Sequence, residues 1–173
     1  MTRKTKSITI GSIVFIVLVL VIAYSLGVFG ISANNTEQNA RKSQKIESTW
    51  KVSKSANDRL VALLFYDDGL GSYTYSIYVN RPGVSFGYFF REGGSMFGIM
   101  DSVYVFTYDT GDSALLSMNK DGVAKIELDN GISKTQIDID PSKPFTVVLP
   151  KKTGLVTLYD TSENTVFDVF MGN

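Results

Sequence analysis

The chain has 173 residues, of which 44% are hydrophobic, so it can build one packed domain with short appendages. Its 17 basic and 17 acidic residues cancel, which excludes the net positive field of a typical nucleic-acid-binding protein. It contains no cysteine and no histidine, which excludes disulfides, thiolate catalysis, a Ser-His-Asp triad and the usual zinc and copper ligands. We therefore expect no metal, no cofactor and no nucleic-acid partner.

An uncharged apolar run near the N-terminus is the most specific signal in the chain. No residue between Lys6 and Glu37 is charged, and the 24 residues from Ile8 to Ile31 span about 36 Å as a helix, enough to cross a hydrocarbon core of about 30 Å. A buried core helix would show a polar face, which this run lacks. The sequence predicts a transmembrane anchor at residues 7–32, in contact with the lipid bilayer.

The basic residues around this run predict its orientation. Arg3, Lys4 and Lys6 precede it, whereas the first basic residue after it is Arg41. Because positive charge is retained on the cytoplasmic side, residues 1–6 form a predicted cytoplasmic basic tail. The C-terminal domain is then extracytoplasmic, on a single-pass protein of the cell membrane.

A cleaved secretory signal is the competing interpretation of the same run. Residues 23–25 (AYS) and 28–30 (VFG) approximate the small-x-small pattern of a cleavage site, and cleavage there would give a secreted protein. The length of the run favours an uncleaved anchor. In either case the domain is exported, and an exported domain without cysteine favours a Gram-positive bacterial source.

Beyond the anchor the composition changes twice. Residues 33–48, ANNTEQNARKSQKIES, are polar and predict a tether, with a short helical extension of the anchor as the alternative. From residue 49 onward, short β-branched and aromatic runs recur about every ten residues with Gly, Asp and Asn between them. We predict an all-β domain at 49–173, an antiparallel β-sandwich rather than a closed barrel. The predicted strands include residues 60–66, 102–108, 114–118, 123–128, 135–140, 145–149, 155–159 and 165–170.

Residues 72–98 hold eight of the chain's 21 aromatic residues. Residues 81–83 (RPG) are typical of a tight turn, and a hairpin closing there pairs residues whose numbers sum to 163. The predicted pairs are Val79 with Val84, Ile77 with Phe86, Tyr75 with Tyr88 and Tyr73 with Phe90. Because side chains alternate across a strand, these eight residues share one face, which we predict to face the core.

The opposite face of this hairpin is the candidate binding surface. It places Tyr78 and Phe89 among small side chains, with Arg91 beside them, and such exposed rings are typical of surfaces that bind sugars or proteins. The alternative is that a second sheet or the loop at 92–98 covers this face. The predicted ligand- or partner-binding residues are Tyr78, Phe89, Arg91 and Glu92.

Catalytic and metal-binding patterns are weak. Asp138 and Asp140 share a predicted strand face, and paired carboxylates are what glycoside hydrolysis needs, but such a pair before proline is also typical of a solvated strand end. Residues 117–122 match the first positions of a calcium loop, yet Leu128 occupies the position that requires glutamate, so a hairpin turn is favoured. No catalytic residue and no metal site are predicted.

Three functions remain open on these grounds. The leading hypothesis is a non-enzymatic, membrane-anchored binding module for a protein or envelope ligand. The second is a structural or accessory subunit of a membrane complex. The third, least favoured, is a carboxylate-dependent hydrolase.

Overall fold

The computed structural model of the chain describes residues 3–25, 27–81, 83, 85–95, 99, 102–109 and 111–172, with side chains from residue 12 onward. Parts of several sequence predictions lie outside these residues. They are Met1 and Thr2 of the predicted tail, Leu26 of the predicted anchor, Pro82 of the predicted turn, Val84 of the predicted hairpin and residues 96–98 of the loop.

Two α-helices are described, and both precede the strands. Helix α1 spans Arg3–Ser25 and so ends before residue 32, the predicted end of the anchor. A 3-10 turn, Ala33–Asn35, leads into helix α2, Thr36–Gln44. Among the residues whose side chains are described, no helix is both long enough and apolar enough to cross a bilayer.

The rest of the described chain is built from antiparallel strands, which confirms the predicted all-β domain. The strands are β1 (Lys51–Ala56), β2 (Leu60–Tyr66), β3 (Tyr73–Val79), β4 (Phe89–Gly94), β5 (Tyr104–Thr107), β6 (Ser113–Ser117), β7 (Val123–Asp129), β8 (Lys134–Asp138), β9 (Phe145–Leu149), β10 (Gly154–Asp160) and β11 (Thr165–Met171). Sheet A has the order β1-β2-β3-β4, sheet B has β5-β6-β9, and sheet C has β11-β10-β7-β8.

The three sheets stack as layers, with sheet B in the middle. Alternate residues of β6 show this, because Ala114 and Leu116 lie in the core shared with sheet A, whereas Leu115 lies in the core shared with sheet C. Strand β2 is also buried along its whole length, which explains why its sequence, LVALLFY, is a continuous apolar run. The packing is sandwich-like, with one more sheet than a two-sheet sandwich.

The β6–β7 turn depends on one buried side chain, Asn119. Its backbone is left-handed, with φ at 56°, a conformation that asparagine tolerates better than most residues. The side-chain amide donates to the carbonyls of Val123, Asp140 and Lys143, each at 3.1 Å. Its Oδ1 accepts from the N–H of Val123 at 2.7 Å. This asparagine therefore ties the β6–β7 turn to the β8–β9 turn.

The predicted hairpin register around residues 81–83 is wrong. Strands β3 and β4 pair so that residue numbers sum to 168 next to the connection, as in Tyr78 with Phe90, and to 169 farther along, as in Ile77 with Glu92, rather than to 163. The connection between them runs through residues 80–88, and its backbone pairs with the segment that follows α1: Phe86 with Phe29, and Tyr88 with Ile31. A contact so distant in sequence outcompetes the local hairpin.

The predicted core face is right for β3 and wrong for its partner. Tyr75, Ile77 and Val79 are buried in the core between sheets A and B. Phe86 and Phe90 are instead exposed, by 61% and 50%. The longer connection between the strands moves both rings out of that core.

Candidate functional site

Tyr78 is fully buried, because α2 lies over it. Its hydroxyl donates a 2.8 Å hydrogen bond to Oδ1 of Asn39 in α2. Its ring meets that of Phe90 edge to face, with centroids 5.7 Å apart, and burial raises the pKa of the phenol. A partner could reach Tyr78 only if α2 moved away.

Helix α2 covers the whole face of β3 that the sequence left open. The amide of Gln44 donates to the Ser76 hydroxyl and to the Tyr75 carbonyl, and its oxygen accepts from Thr74 at 2.9 Å. Ala40 is fully buried against the apolar residues of β2. Residues that were predicted to form a tether thus form a docked helix, and polar contacts hold much of it.

Arg41 stabilises the segment between α2 and β1. Its guanidinium pairs with Glu37 at 2.9 Å and donates to the carbonyls of Glu47 and Trp50. It also lies 4.9 Å from the ring centroid of Phe65, a distance typical of a cation–π contact. Sequence reasoning did not identify this arginine, because its partners lie on three separate parts of the chain.

Phe89 and Arg91 lie near the surface but have different surroundings. Phe89 is half-buried, and the guanidinium of Arg81 lies 4.1 Å from its ring centroid. Arg91 is exposed and is the extra residue of a β-bulge, since Ile77 pairs with Glu92 and Tyr78 pairs with Phe90. A bulge re-aims the neighbouring side chains of its strand.

Glu92 points to the opposite side of sheet A from Tyr78. Its Oε1 accepts a 2.6 Å hydrogen bond from the Tyr104 hydroxyl and a longer one, 3.4 Å, from that of Tyr75. Burial, followed by the hydrogen bond to Glu92, raises the pKa of Tyr104 well above its ordinary value. Burial also raises the pKa of Tyr75, to which the Glu92 charge contributes.

Consequently the four predicted site residues do not form one surface. Tyr78 lies beneath α2, and Glu92 is engaged by two phenols that stay protonated as hydrogen-bond donors. Arg91 is exposed, whereas Phe89 and Glu92 are both only partly exposed. Tyr104 had no sequence signal as a partner of Glu92, because their contact arises from the packing of sheet B on sheet A.

An exposed aromatic pair, Phe29 and Phe86, lies where the chain leaves α1. Their rings stack with centroids 6.0 Å apart and an interplanar angle of 21°. The N–H of Gly30 donates to the Phe86 carbonyl at 2.7 Å, and the N–H of Phe86 donates to the Val28 carbonyl at 2.8 Å. The segment after the helix is therefore joined to the β3–β4 connection.

A second accessible feature is a groove of 460 Å³ at one end of sheet C. Leu155 and Phe170 form a cross-strand pair there, and they are 40% and 72% exposed. Asp129 and Lys152 add one charge of each sign to its lining. Such a partly apolar concavity can bind a hydrophobic side chain of a partner.

The two aspartates that the sequence singled out, Asp138 and Asp140, form separate local hydrogen bonds. Asp138 accepts a hydrogen bond from Gln136, whereas Asp140 lies beyond β8 and binds Ser142 and Lys143 within its own turn. Among the described residues, no group of three acidic side chains is placed to hold a metal ion. These local bonds are those of a solvated strand end.

Comparison of the chain with protein-family models, with curated proteins and with solved structures found no match.

Proposed function

We propose that this chain is a single-pass membrane protein whose N-terminal helix anchors an extracytoplasmic β-domain, and that the domain acts by binding a protein or envelope component. One observation carries the proposal. The ten consecutive apolar side chains from Ile13 to Ile22 are all exposed on α1, by 46 to 67%. Most apolar side chains of the β-domain, by contrast, lie in or against buried clusters.

The free energy gained by removing these side chains from water favours a lipid environment around α1. Full burial of a large aliphatic side chain is worth about 1.5–3 kcal/mol, so ten that are half exposed represent on the order of 10 kcal/mol. That is comparable to the whole net stability of a domain, about 5–15 kcal/mol. A helix that is apolar on every side is suited to lipid.

The length of α1 agrees with a membrane-spanning role. Its backbone is helical over 23 residues, about 35 Å. The described side chains, from Ser12 to Ser25, account for about 21 Å of this. Adding residues 8–11 (ITIG) extends the uncharged helix to about 27 Å, close to the roughly 30 Å of a hydrocarbon core.

The charge asymmetry supports the orientation. Arg3, Lys4 and Lys6 precede the apolar stretch, and the next basic residue is Arg41, so the N-terminus is on the cytoplasmic side. Without those three residues the protein keeps 17 minus 3, or 14, basic residues against 17 acidic ones. The exported part is then mildly acidic and has no strong steering field.

The backbone pairing beyond α1 favours retention of the anchor over its cleavage. Val28 and Gly30 make backbone hydrogen bonds with Phe86. Cleavage before residue 31 would remove both partners and leave that part of the β3–β4 connection without them. Cleavage before residue 26 would keep them, but it would leave their segment as a free N-terminus.

Protease accessibility tests the topology. The full chain, with an epitope tag at each end, is expressed in cells that are converted to protoplasts or spheroplasts. Added protease should remove the C-terminal tag and spare the N-terminal one, and lysis with detergent should expose both.

A C-terminal tag that survives until lysis would contradict the proposed orientation. The mass of the mature chain decides between anchor and signal. A chain that begins near residue 26 or 31 would contradict the anchor and select the secreted alternative.

The groove at the end of sheet C is our proposed partner-binding surface. A photo-reactive phenylalanine analogue at position 170 should crosslink a partner in intact cells. The same analogue at Gln136, an exposed position on β8, serves as the control and should give no adduct. Equal adducts from both positions would contradict a specific surface.

The accessory-subunit alternative differs in where the partner binds. A subunit assembled through its membrane helix would give adducts from position 17 of α1 and none from position 170. That outcome would replace the binding-module proposal while keeping the anchor.

A further inference from the structure

We propose that the connection between β3 and β4, described at residues 80, 81, 83 and 85–88, is a second membrane-contact element, which rests the exposed ring of Phe86 together with that of Phe29 on the outer surface of the bilayer beside the anchor. The inference rests on the proposed function, because it takes α1 as the spanning helix. The occupant of this surface is the lipid bilayer itself. The consequence is a β-domain held in one orientation against the membrane, rather than one swinging on a tether.

The first step is the way α1 ends. Gly27, with φ at 63°, donates its N–H to the Tyr24 carbonyl, and Val28 donates to that of Ala23. These two bonds form a Schellman motif, which closes a helix and redirects the chain at a defined point. Phe29 follows Gly27 by two residues, so it lies within about 7 Å of it.

That distance matches the interfacial layer of a bilayer. A bilayer of about 40–45 Å with a hydrocarbon core of about 30 Å leaves roughly 5–7 Å of headgroup layer on each side. With the end of α1 at the hydrocarbon boundary, Phe29 lies in this layer. Tyr24, which is 78% exposed at the end of the helix, lies at the boundary where aromatic side chains favour the interface.

The second step is that backbone pairing holds Phe86 at the same level as Phe29. The two residues form a bridge, and their rings stack in parallel at 6.0 Å. The next bridge joins Ile31 and Tyr88, which exchange hydrogen bonds of 2.9 and 2.7 Å. If the end of α1 places Phe29 in the headgroup layer, the pairing therefore places Phe86 in the same layer.

Two glycines permit this close approach. A Cβ on Gly30 would lie 2.6 Å from the Tyr88 carbonyl oxygen, and one on Gly87 would lie 2.7 Å from that of Ile31. Gly87 also has φ at 90°, which other residues rarely adopt. Replacing either glycine should separate the connection from the segment that follows α1.

The third step concerns the side chains that this surface presents. Phe29 and Phe86 are 46% and 61% exposed although they stack on each other, so their outer faces contact solvent. Arg81 is exposed in the same connection, and Asn80 at its start bonds to the backbone of Asp58 and Arg59. An exposed aromatic ring and an exposed arginine in one connection suit an interface where rings enter the headgroup layer and cations meet phosphates.

Depth-dependent quenching of a single tryptophan tests the inference in the full-length protein. Trp50 is replaced by Phe, Phe86 by Trp, and the protein is reconstituted into phosphatidylcholine vesicles with or without brominated acyl chains. We expect the residue at 86 to lose most of its emission in the brominated vesicles. The matched control carries Ile132→Trp, at a 95% exposed position in the β7–β8 turn of sheet C, and should lose none.

The outcomes separate the two proposals. Protein that floats with the vesicles but is quenched no more at 86 than at 132 overturns the membrane-contact inference and leaves the anchor standing. Protein that does not float contradicts the proposed anchor. A blue-shifted emission at 86 that bromine does not quench shows that a second copy or another protein covers the ring, and this also overturns the inference.

Two further variants guard against a misfolded probe. Phe29→Trp reports on the same layer from the other side of the bridge, so it should be quenched like the probe at 86. Adding Gly87→Val to the Phe86→Trp protein should reduce the quenching while flotation persists. Unchanged quenching in the protein that carries Gly87→Val would mean that the pairing with the segment after α1 does not hold this connection at the membrane.

Discussion

The hydroxyl of Tyr78 donates a 2.8 Å hydrogen bond to Oδ1 of Asn39, and this bond joins the central part of sheet A to helix α2. Both partners lie in an interface in which Ala40 is the only fully buried apolar residue from α2. The helix and the sheet therefore recognise each other largely through polar groups. Residues 36–44 therefore belong to the folded domain rather than to a flexible tether between that domain and α1.

Truncation of Tyr78 should destabilise the protein strongly. Tyr78→Ala removes a fully buried ring, which costs about 3–5 kcal/mol in a core. Tyr78→Phe keeps the ring but removes the hydroxyl and its bond to Asn39, and should cost about 1 kcal/mol, partly because it leaves the Asn39 oxygen without this donor. Urea unfolding of the full-length protein in detergent measures both. Equal, small losses for the two variants would mean that α2 is not docked on β3 in solution.

Tyr75 and Phe86, which the sequence placed on the same core face, should differ in how much their truncation destabilises the protein. Tyr75→Ala, in the core between sheets A and B, should cost about 3–5 kcal/mol. Phe86→Ala should cost about 1 kcal/mol or less, since the ring is 61% exposed. The sequence alone predicted equal losses. A Phe86→Ala protein as unstable as Tyr75→Ala would restore the register that closes at residues 81–83.

Most of the strands were predictable from the sequence, whereas the contacts that cover them were not. Residues 60–66 coincide with β2, and the later β-branched runs fall on β5 to β11 with shifts of a few residues. Alternation and turn residues carry that information locally. Helix α2 has no apolar stripe, so nothing in its sequence, TEQNARKSQ, indicates that it docks. The pairing of Phe29 with Phe86 is a long-range contact with no local pattern at all.

Asn119 should be among the least replaceable polar residues. Asn119→Ala removes four hydrogen bonds, among them the one accepted from the buried Val123 N–H, so we expect a loss of about 3–5 kcal/mol in urea unfolding. Asn119→Asp keeps the size but directs a carboxylate oxygen at three carbonyls, and should be as damaging. Asn119→Gly separates the two causes, because it relieves the left-handed backbone without restoring the bonds.

The exposed neighbour Lys120 provides the control for these variants. Lys120→Ala changes the same turn without touching the buried network, and should alter the stability by no more than about 0.5 kcal/mol. If Asn119→Gly were as stable as the native protein, the left-handed backbone rather than the hydrogen bonds would be the reason for asparagine here.

The stability of the protein should be flat near neutrality and fall at both extremes of pH. Within the turns, Lys143 and Ser142 lower the pKa of Asp140, the Gly131 N–H and Lys134 lower that of Asp129, and Asn164 lowers that of Asp160. A carboxyl whose pKa is lower in the folded state contributes stability above its unfolded pKa, about 3.9, and loses it as the pH falls further.

On the alkaline side the sign reverses. Burial raises the pKa of Tyr104, Tyr75 and Tyr78 in the folded state. Their contribution to the free energy of unfolding is therefore complete below the unfolded pKa of about 10, and it is lost as the pH rises beyond that value.

Because the chain has no histidine, little titrates between pH 6 and 8. Urea midpoints at about pH 3, 5, 7, 9 and 10.5 should thus form a plateau with two declining limbs. Asp140→Asn should make the acid limb less steep, and Tyr104→Phe should make the alkaline limb less steep. A slope between pH 6 and 8 that both variants retain would contradict this account, because it would show that another group controls the stability.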